Sequence, residues 1–310
     1  MTDIVEKGGL QVVAGLVVGV DGSQESEDAL IWALAEGRRR NVPVRAINVW
    51  QPSGSPEQVE RLAALHSVAE LRAQLVEDVS SVVRAVAERV SATDVAVTSE
   101  VVYGHPAQEL IRAADAHSML VVGSRGRGSV AGAVLGSVSQ SIAQYGKGTV
   151  VVVRGRPADP ATGRVVVGVD GSPASIGALR FADRAARLRG ATLRVVHAWS
   201  VPYLGFAGPA SNLPEDAIDD LTREAKATLQ ASLDRASLDV SRSDLEVRLV
   251  HGGPAPALLE SAQDADLLVV GSRGYGGWKG LLLGSVSNQC VTQSPCTVAV
   301  VREPEPPDGQ

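Results

Sequence analysis

At 310 residues the chain is too long for one ordinary core and suits two domains of common size. Apolar residues make up 45% of it, without a run of membrane-spanning length, which argues for a globular protein away from the membrane. A net charge of −6 and 3% aromatics argue against a nucleic-acid partner, which would want a basic footprint or stacking platforms.

The opening residues, "MTDIVEKGGLQVVAG", lack the basic-then-apolar layout of a secretory leader, so a cytoplasmic location is expected. The first apolar run, "LVVGV" from Leu16, reads as a strand, and an amphipathic stretch from Glu25 to Arg40 as a helix. "VRAINVW" is the second strand, and a long helical pattern runs from Glu57 to Val90. "VAVTSEVV" and "MLVVG" are strands on either side of a helix from Ala107 to Asp115. A last helix, Ser137 to Tyr145, places Val138, Ile142 and Tyr145 on one face, and "TVVVVR" closes the series as a fifth strand. Short β-branched runs alternating with helices define a parallel sheet covered on both faces. The unit is a five-stranded, doubly wound α/β domain.

The sequence then starts again. "LVVGVDGSQESEDALIWALAEGRRRNVPVRAINVW", Leu16 to Trp50, is matched by "VVVGVDGSPASIGALRFADRAARLRGATLRVVHAW", Val165 to Trp199. A period this long marks a duplicated domain. We expect one domain over 11–154, a linker over 155–163 ("GRPADPATG"), a second domain over 164–303 and a disordered tail over 304–310. The stretch Glu57 to Val90 is longer than its counterpart, Glu215 to Ala236, which suggests extra contact surface. Cys290 and Cys296 have no counterparts in the first half; two thiols exclude a disulfide scaffold or cysteine metal cluster and fit a reducing compartment. Cys296, heading an apolar strand, is expected to be buried and inert.

The repeat is tightest where it is richest in glycine. "VVGSRGRGSVAGAVLGSVSQSI" (Val121 to Ile142) and "VVGSRGYGGWKGLLLGSVSNQC" (Val269 to Cys290) agree at 13 of 22 positions. Both follow the rule G-x2-G-x9-G-S: Gly123, Gly126 and Gly136-Ser137, then Gly271, Gly274 and Gly284-Ser285. Each lies after a fourth strand and before a helix, at the carboxyl edge where open parallel sheets bind ligands. Glycine lets backbone approach a bulky ligand, and the helix start offers amides without internal partners, so a phosphate is the natural occupant. Ser137 and Ser139, with Ser285 and Ser287, can add hydroxyl donors, while Arg125 and Arg273 can screen charge. The blander reading is that glycines serve loop turns and that the arginines are solvated cations. No "GxxxxGK[ST]" occurs, since Gly146-Lys147 is followed by Gly148, and "GRGSVA" sits after the wrong strand for a dinucleotide fingerprint.

The double spacing, together with "GVDGS" after strand one, resembles the universal stress protein family over nearly the whole chain. The resemblance implies Rossmann-like domains of strand order 3-2-1-4-5. It also implies ATP, with or without magnesium, in both halves, because members with this glycine signature typically bind it. It places Asp21 and Asp170 at the pocket mouth near ribose, water or a metal ion, and the backbone of Val49 and Ala198 at the adenine edge. Gly123, Arg125, Gly126, Gly136, Ser137, Val138 and Ser139 would wrap ribose and phosphates. In the second half Gly271, Arg273, Gly274, Gly284, Ser285, Val286 and Ser287 would do the same. It further implies pairing of the two fifth-strand edges within the chain, dimerisation of that unit, and a downstream protein partner of unknown identity. Trp278 and Lys279 replace Val130 and Ala131, so the two pockets are expected to differ.

Asp21 and Asp170 also fit turn and capping chemistry, though Ser23 and Ser172 can cap equally well. His105 and His251 stand at strand-to-helix turns without counterparts, His197 aligns with Asn48 near the adenine edge, and His66 and His117 show no partner pattern. No nucleophile with an attendant base and no Walker lysine is present, which leaves at most slow ATP hydrolysis. The expected function is a nucleotide-dependent regulator or sensor of the stress response. Its alternatives are an adenine-nucleotide enzyme, such as a nucleotidyl transferase, and a scaffold with vestigial pockets.

Overall fold

A computed structural model describes residues 15–50, 68–116, 118–126, 135–155, 161–201, 215–275 and 282–302. The start of the Glu57–Val90 helix, most of the linker, the tail, His66, His117 and the Trp278/Lys279 contrast lie outside the described residues. The first half runs β1 (Leu16–Gly19), α1 (Gln24–Arg40), β2 (Val44–Trp50), α2 (Val68–Arg89), β3 (Val97–Tyr103), α3 (Pro106–Ala113), β4 (Met119–Gly123), α4 (Ser137–Tyr145) and β5 (Thr149–Val153). The second repeats it as β6 (Arg164–Gly168), α5 (Pro173–Arg189), β7 (Thr192–Trp199), α6 (Glu215–Ala236), β8 (Leu245–His251), α7 (Pro254–Ser261), β9 (Leu267–Gly271), α8 (Ser285–Gln293) and β10 (Thr297–Val301).

Local chemistry sets the ends of these elements. Ser23 caps α1 by accepting the Ser26 N–H, and Asn41 closes it in the left-handed region at φ 53°, where Gly190 stands in the second half at φ 60°. Pro106 begins α3 one residue earlier than the periodicity predicts, because proline lacks only an N–H that the first helical position leaves unused. That helix stops short of Asp115, whose carboxylate instead accepts the Ser118 N–H at 2.7 Å. Strand β3 begins at Val97 and not at Val95, whose N–H turns back to the Ala92 carbonyl. Both α2 and α6 have 22 residues, so the length difference seen in the sequence is absent from the described part of these helices.

All ten strands form one sheet of order β3-β2-β1-β4-β5-β10-β9-β6-β7-β8. Each half is parallel throughout and keeps the order 3-2-1-4-5. The halves meet where β5 and β10 pair antiparallel, with Val152 opposite Val298 and Val151 opposite Ala299, so neither edge is left exposed. Side chains alternate between two cores: Val151 and Val153 face the layer of α1 and α5, while Val150 and Val152 face that of α4 and α8.

Side chains exchanged across this seam reinforce it. Arg154 Nη2 donates to the Val291 and Thr292 carbonyls near the end of α8, at 2.6 and 2.5 Å. Arg302 reciprocates toward the Ala143 and Gln144 carbonyls of α4. On the other face Glu36, with its side chain fully buried, receives Arg40 at 2.6 Å from its own half and Arg189 at 2.6 Å from the other. Arg40 and Arg189 occupy equivalent positions of the two halves, and each guanidinium also lies over an aromatic ring of the opposite half, Phe181 or Trp32. One carboxylate thus serves two arginines related by the internal repeat; the equivalent of Glu36 in α5 is Ala185.

Candidate functional site

Each half has a cavity at the carboxyl ends of its first and fourth strands. Strand β1 hands the chain to Asp21, whose Oδ1 accepts the backbone N–H of Ser23 at 2.9 Å and its hydroxyl at 2.5 Å. Ser23 in turn accepts the Ser26 N–H, so the carboxylate anchors the cap of α1 while still lining the cavity. Asp170, Ser172 and Ser175 repeat the arrangement, and Asp170 Oδ2 also accepts the Tyr275 N–H of the glycine loop at 3.1 Å. The capping and cavity readings of these aspartates are therefore compatible: one oxygen ties the turn, and the other faces the loop.

The glycines mark close approaches. A Cβ on Gly123 would lie 2.5 Å from the Glu25 carbonyl oxygen, and one on Gly271 would lie 2.8 Å from that of Ala174. A Cβ on Gly126 would lie 2.6 Å from Asp21 Oδ2, and one on Gly274 would run into Asp170 in the same way. Only glycine lets the loop fold back this tightly on the first turn of α1 or α5. The chain then returns through Gly136, whose N–H donates to the Ser124 carbonyl at 2.8 Å and whose own position caps α4 without a side-chain bond. Gly284 does the same for α8. The first amides of both helices thus lack a side-chain cap, where the helix dipole favours negative charge.

Ser139 and Ser287 are buried, and their hydroxyls donate to the Gly123 and Gly271 carbonyls at 2.6 Å. What they offer a ligand is therefore the backbone N–H and not the hydroxyl proton. Arg125 lines the first cavity but pairs with Glu25, Nη2 to Oε1 at 3.0 Å.

The first cavity, of about 440 Å³, brings together Asp21, Val49, Gly123, Arg125, Gly126, Gly136, Ser137, Val138 and Ser139. The second, of about 520 Å³, gathers Asp170, Ala198, Gly271, Arg273, Gly274, Gly284, Ser285, Val286 and Ser287. Sequence reasoning missed the apolar floor: Pro106 and Leu110 in the first cavity, Pro254 and Leu258 in the second. The signal was present as a proline and a leucine four residues apart, repeated after the third strand of each half. Gly19 and Gly168 make room for those leucines, since a Cβ there would meet Leu110 or Leu258 within 3 Å.

The histidines take other places. His197 is buried, its Nδ1 2.8 Å from the Val169 carbonyl, and Asn48 makes the equivalent bond to Val20 at 2.7 Å. His251 packs on Trp199, and His105 is the N-cap residue of α3, accepting the Glu109 N–H through its carbonyl and making no side-chain cap bond. Both cysteines are buried; burial pushes the Cys290 thiol up to about 12 and that of Cys296 to about 11, away from reactivity. The described residues contain no cluster of histidine, cysteine and carboxylate groups that could hold a metal ion.

Fold and cavities define a tandem α/β protein with a glycine-walled pocket at the start of a helix in each half. The chain belongs to the universal stress protein family, whose profile matches residues 15–154 and 162–302. A universal stress protein of Mycobacterium tuberculosis is 38% identical over 315 residues, covering 96% of this chain and 98% of its own. The crystal structure of a universal stress protein from Archaeoglobus fulgidus covers 94% of this chain and 98% of its own, at 20% identity and a TM-score of 0.63. A universal stress protein solved in complex with cAMP is 34% identical and covers 45% of this chain and 97% of its own, with a TM-score of 0.33.

Proposed function

We propose that each half binds one adenine nucleotide, ATP foremost and with magnesium where the triphosphate carries it, and that the protein acts as a nucleotide-dependent regulator or sensor of the stress response. The observation that carries this reading is a helix start without a side-chain cap, opening onto an apolar-floored cavity of ligand size, built twice from the same residue pattern. Phosphates would take the first amides of α4 and α8. The adenine would lie along the Val49 or Ala198 backbone over the Leu110 or Leu258 floor. Asp21 and Asp170 would hold the loop shut and face the ribose or a hydrated cation. No side-chain base is set against a nucleophile among the described cavity residues, so the proposed role is binding and signalling, with hydrolysis slow at most. The protein is expected to work in the cytoplasm as a homodimer, passing the nucleotide state to a downstream protein.

The test is to denature the purified protein, resolve the released nucleotides and titrate the emptied chain with ATP. We expect one nucleotide per cavity, with one site lost in Gly126→Ala, the other in Gly274→Ala and both in the double variant. A protein that comes empty and takes up no ATP would reduce the cavities to features of the fold. Multiple turnover of ATP, abolished by the same variants, would make the protein an enzyme.

A further inference from the structure

We propose, on the reading that both cavities hold adenine nucleotides, that they accept different phosphate charge: the second is a triphosphate site, the first admits monophosphates nearly as well, and Glu25 sets the difference.

Arg125 and Arg273 are equivalent, and each lines its cavity. Arg125 is paired with Glu25, from the first turn of α1, at 3.0 Å. The position equivalent to Glu25 is Ala174, and among the described residues no carboxylate pairs with Arg273. Glu27, the other acid on the first turn of α1, has Ile176 as its counterpart, but it does not line the cavity and pairs with Arg89. At the cavities themselves, Asp21 in the first matches Asp170 in the second. Behind each loop stands another arginine, Arg154 or Arg302; burial, and then the neighbouring Arg125 or Arg273, lowers its pKa, to about 10 for Arg302. Of these groups, Glu25 is therefore the unmatched charge paired with a cavity residue.

Its consequence depends on how much charge the ligand brings. A triphosphate entering the first cavity must draw Arg125 away from Glu25 and then lie near that carboxylate. In the second cavity Arg273 meets the phosphates without competition. The Arg125–Glu25 pair is partly exposed, with the arginine side chain 46% and the glutamate 25% accessible, so it is weak enough to be broken by a ligand. Loss of one guanidinium contact plus one like-charge repulsion at solvent-exposed dielectric amounts to about a tenfold difference in affinity. A monophosphate held at the amides of α4 depends less on Arg125, and its expected difference is about threefold or less.

The experiment is photolabelling of the full chain with 8-azido-ATP and 8-azido-AMP over a concentration series, with labelled peptides from each half quantified separately. We expect the second half to reach half-maximal ATP labelling at about a tenfold lower concentration than the first, and the two halves to differ little with AMP. Glu25→Gln should close the ATP gap from one side, and Ala174→Glu should close it from the other by weakening the second cavity. Equal ATP labelling in the unaltered chain, or a gap that both variants leave in place, overturns the inference while nucleotide binding stands. Labelling that excess unmodified ATP does not compete away overturns the binding reading itself.

Discussion

The two halves of this chain share strand order, register and cavity wall, yet differ sharply on one helix. Helix α1 carries Glu25 at its start and Glu36 near its end; α5 carries alanine at both equivalent positions. These carboxylates are eleven residues apart, which brings them to nearly the same side of the helix. One reaches the cavity loop through Arg125, and the other reaches the opposite half through Arg189. The lesson is physical. Features on which the fold depends, such as glycines at close approaches and valines in the sheet, are kept in both copies because each is tied to many neighbours. Glu25 touches one arginine, so one copy can lack that charge without disturbing the architecture. Glu36 meets Arg39 and Arg40 of its own half and Arg189 of the other, so one carboxylate does for both copies.

The largest effect should come from breaking the contrast at Glu36. Burial alone would raise its pKa, but Arg189, Arg40 and Arg39 outweigh burial and hold it below the ordinary carboxylate range. Glu36→Gln would leave two buried or half-buried guanidiniums without their counter-charge, at a cost of about 3 kcal/mol in urea unfolding. Because the folded-state pKa is depressed, this contribution is present at neutral pH and lost as pH falls through the folded value. The stability gap between the unaltered protein and Glu36→Gln should therefore shrink below the ordinary carboxylate range. A gap that stays constant down to acid pH would mean that the carboxylate acts by packing and not by charge.

A smaller and deliberately symmetric effect is expected at Arg154 and Arg302. Each donates to two carbonyls at the end of the partner half's last helix, so Arg154→Met and Arg302→Met should each cost about 2 kcal/mol. Equal costs would show that the antiparallel seam is loaded evenly and that the asymmetry is confined to the Glu36 face. Unequal costs would extend it to both faces of the sheet.

Much of the architecture is legible in the residues themselves. The β-branched runs mark the strands because a sheet covered on both faces needs apolar residues without alternation, as in Val150 to Val153. Glycines at fixed spacing mark the loop because Gly123 and Gly126 sit where a Cβ would collide. What stays hidden depends on contacts between distant positions. Nothing local in "ALAEGRRR" distinguishes Glu36, buried against Arg189, from a solvated glutamate on a helix surface. The pairing of Arg125 with Glu25, and the inward turn of the Ser139 hydroxyl, likewise follow from the loop's path and not from its composition.

The smallest expected difference lies where the halves look alike. Ser23 and Ser172 both accept the N–H three residues on at 3.2 Å, and both donate to the preceding aspartate, at 2.5 and 2.6 Å. Replacing either with alanine should cost about 1 kcal/mol, the usual value of an N-cap. The sequences differ next door: Pro173 follows Ser172, whereas Gln24 follows Ser23. Proline at the first helical position removes one amide in need of a partner and fixes its φ for the helix, which opposes fraying when the cap is lost. Ser172→Ala should therefore cost about a few tenths of a kcal/mol less than Ser23→Ala in paired urea titrations. Burial works in the opposite direction: Ser172 is buried and Ser23 only partly so, which leaves water less able to replace the lost acceptor in the second half. A larger cost at Ser172 would show that this desolvation outweighs the proline, and would make the turn of the second half the more tightly held of the two.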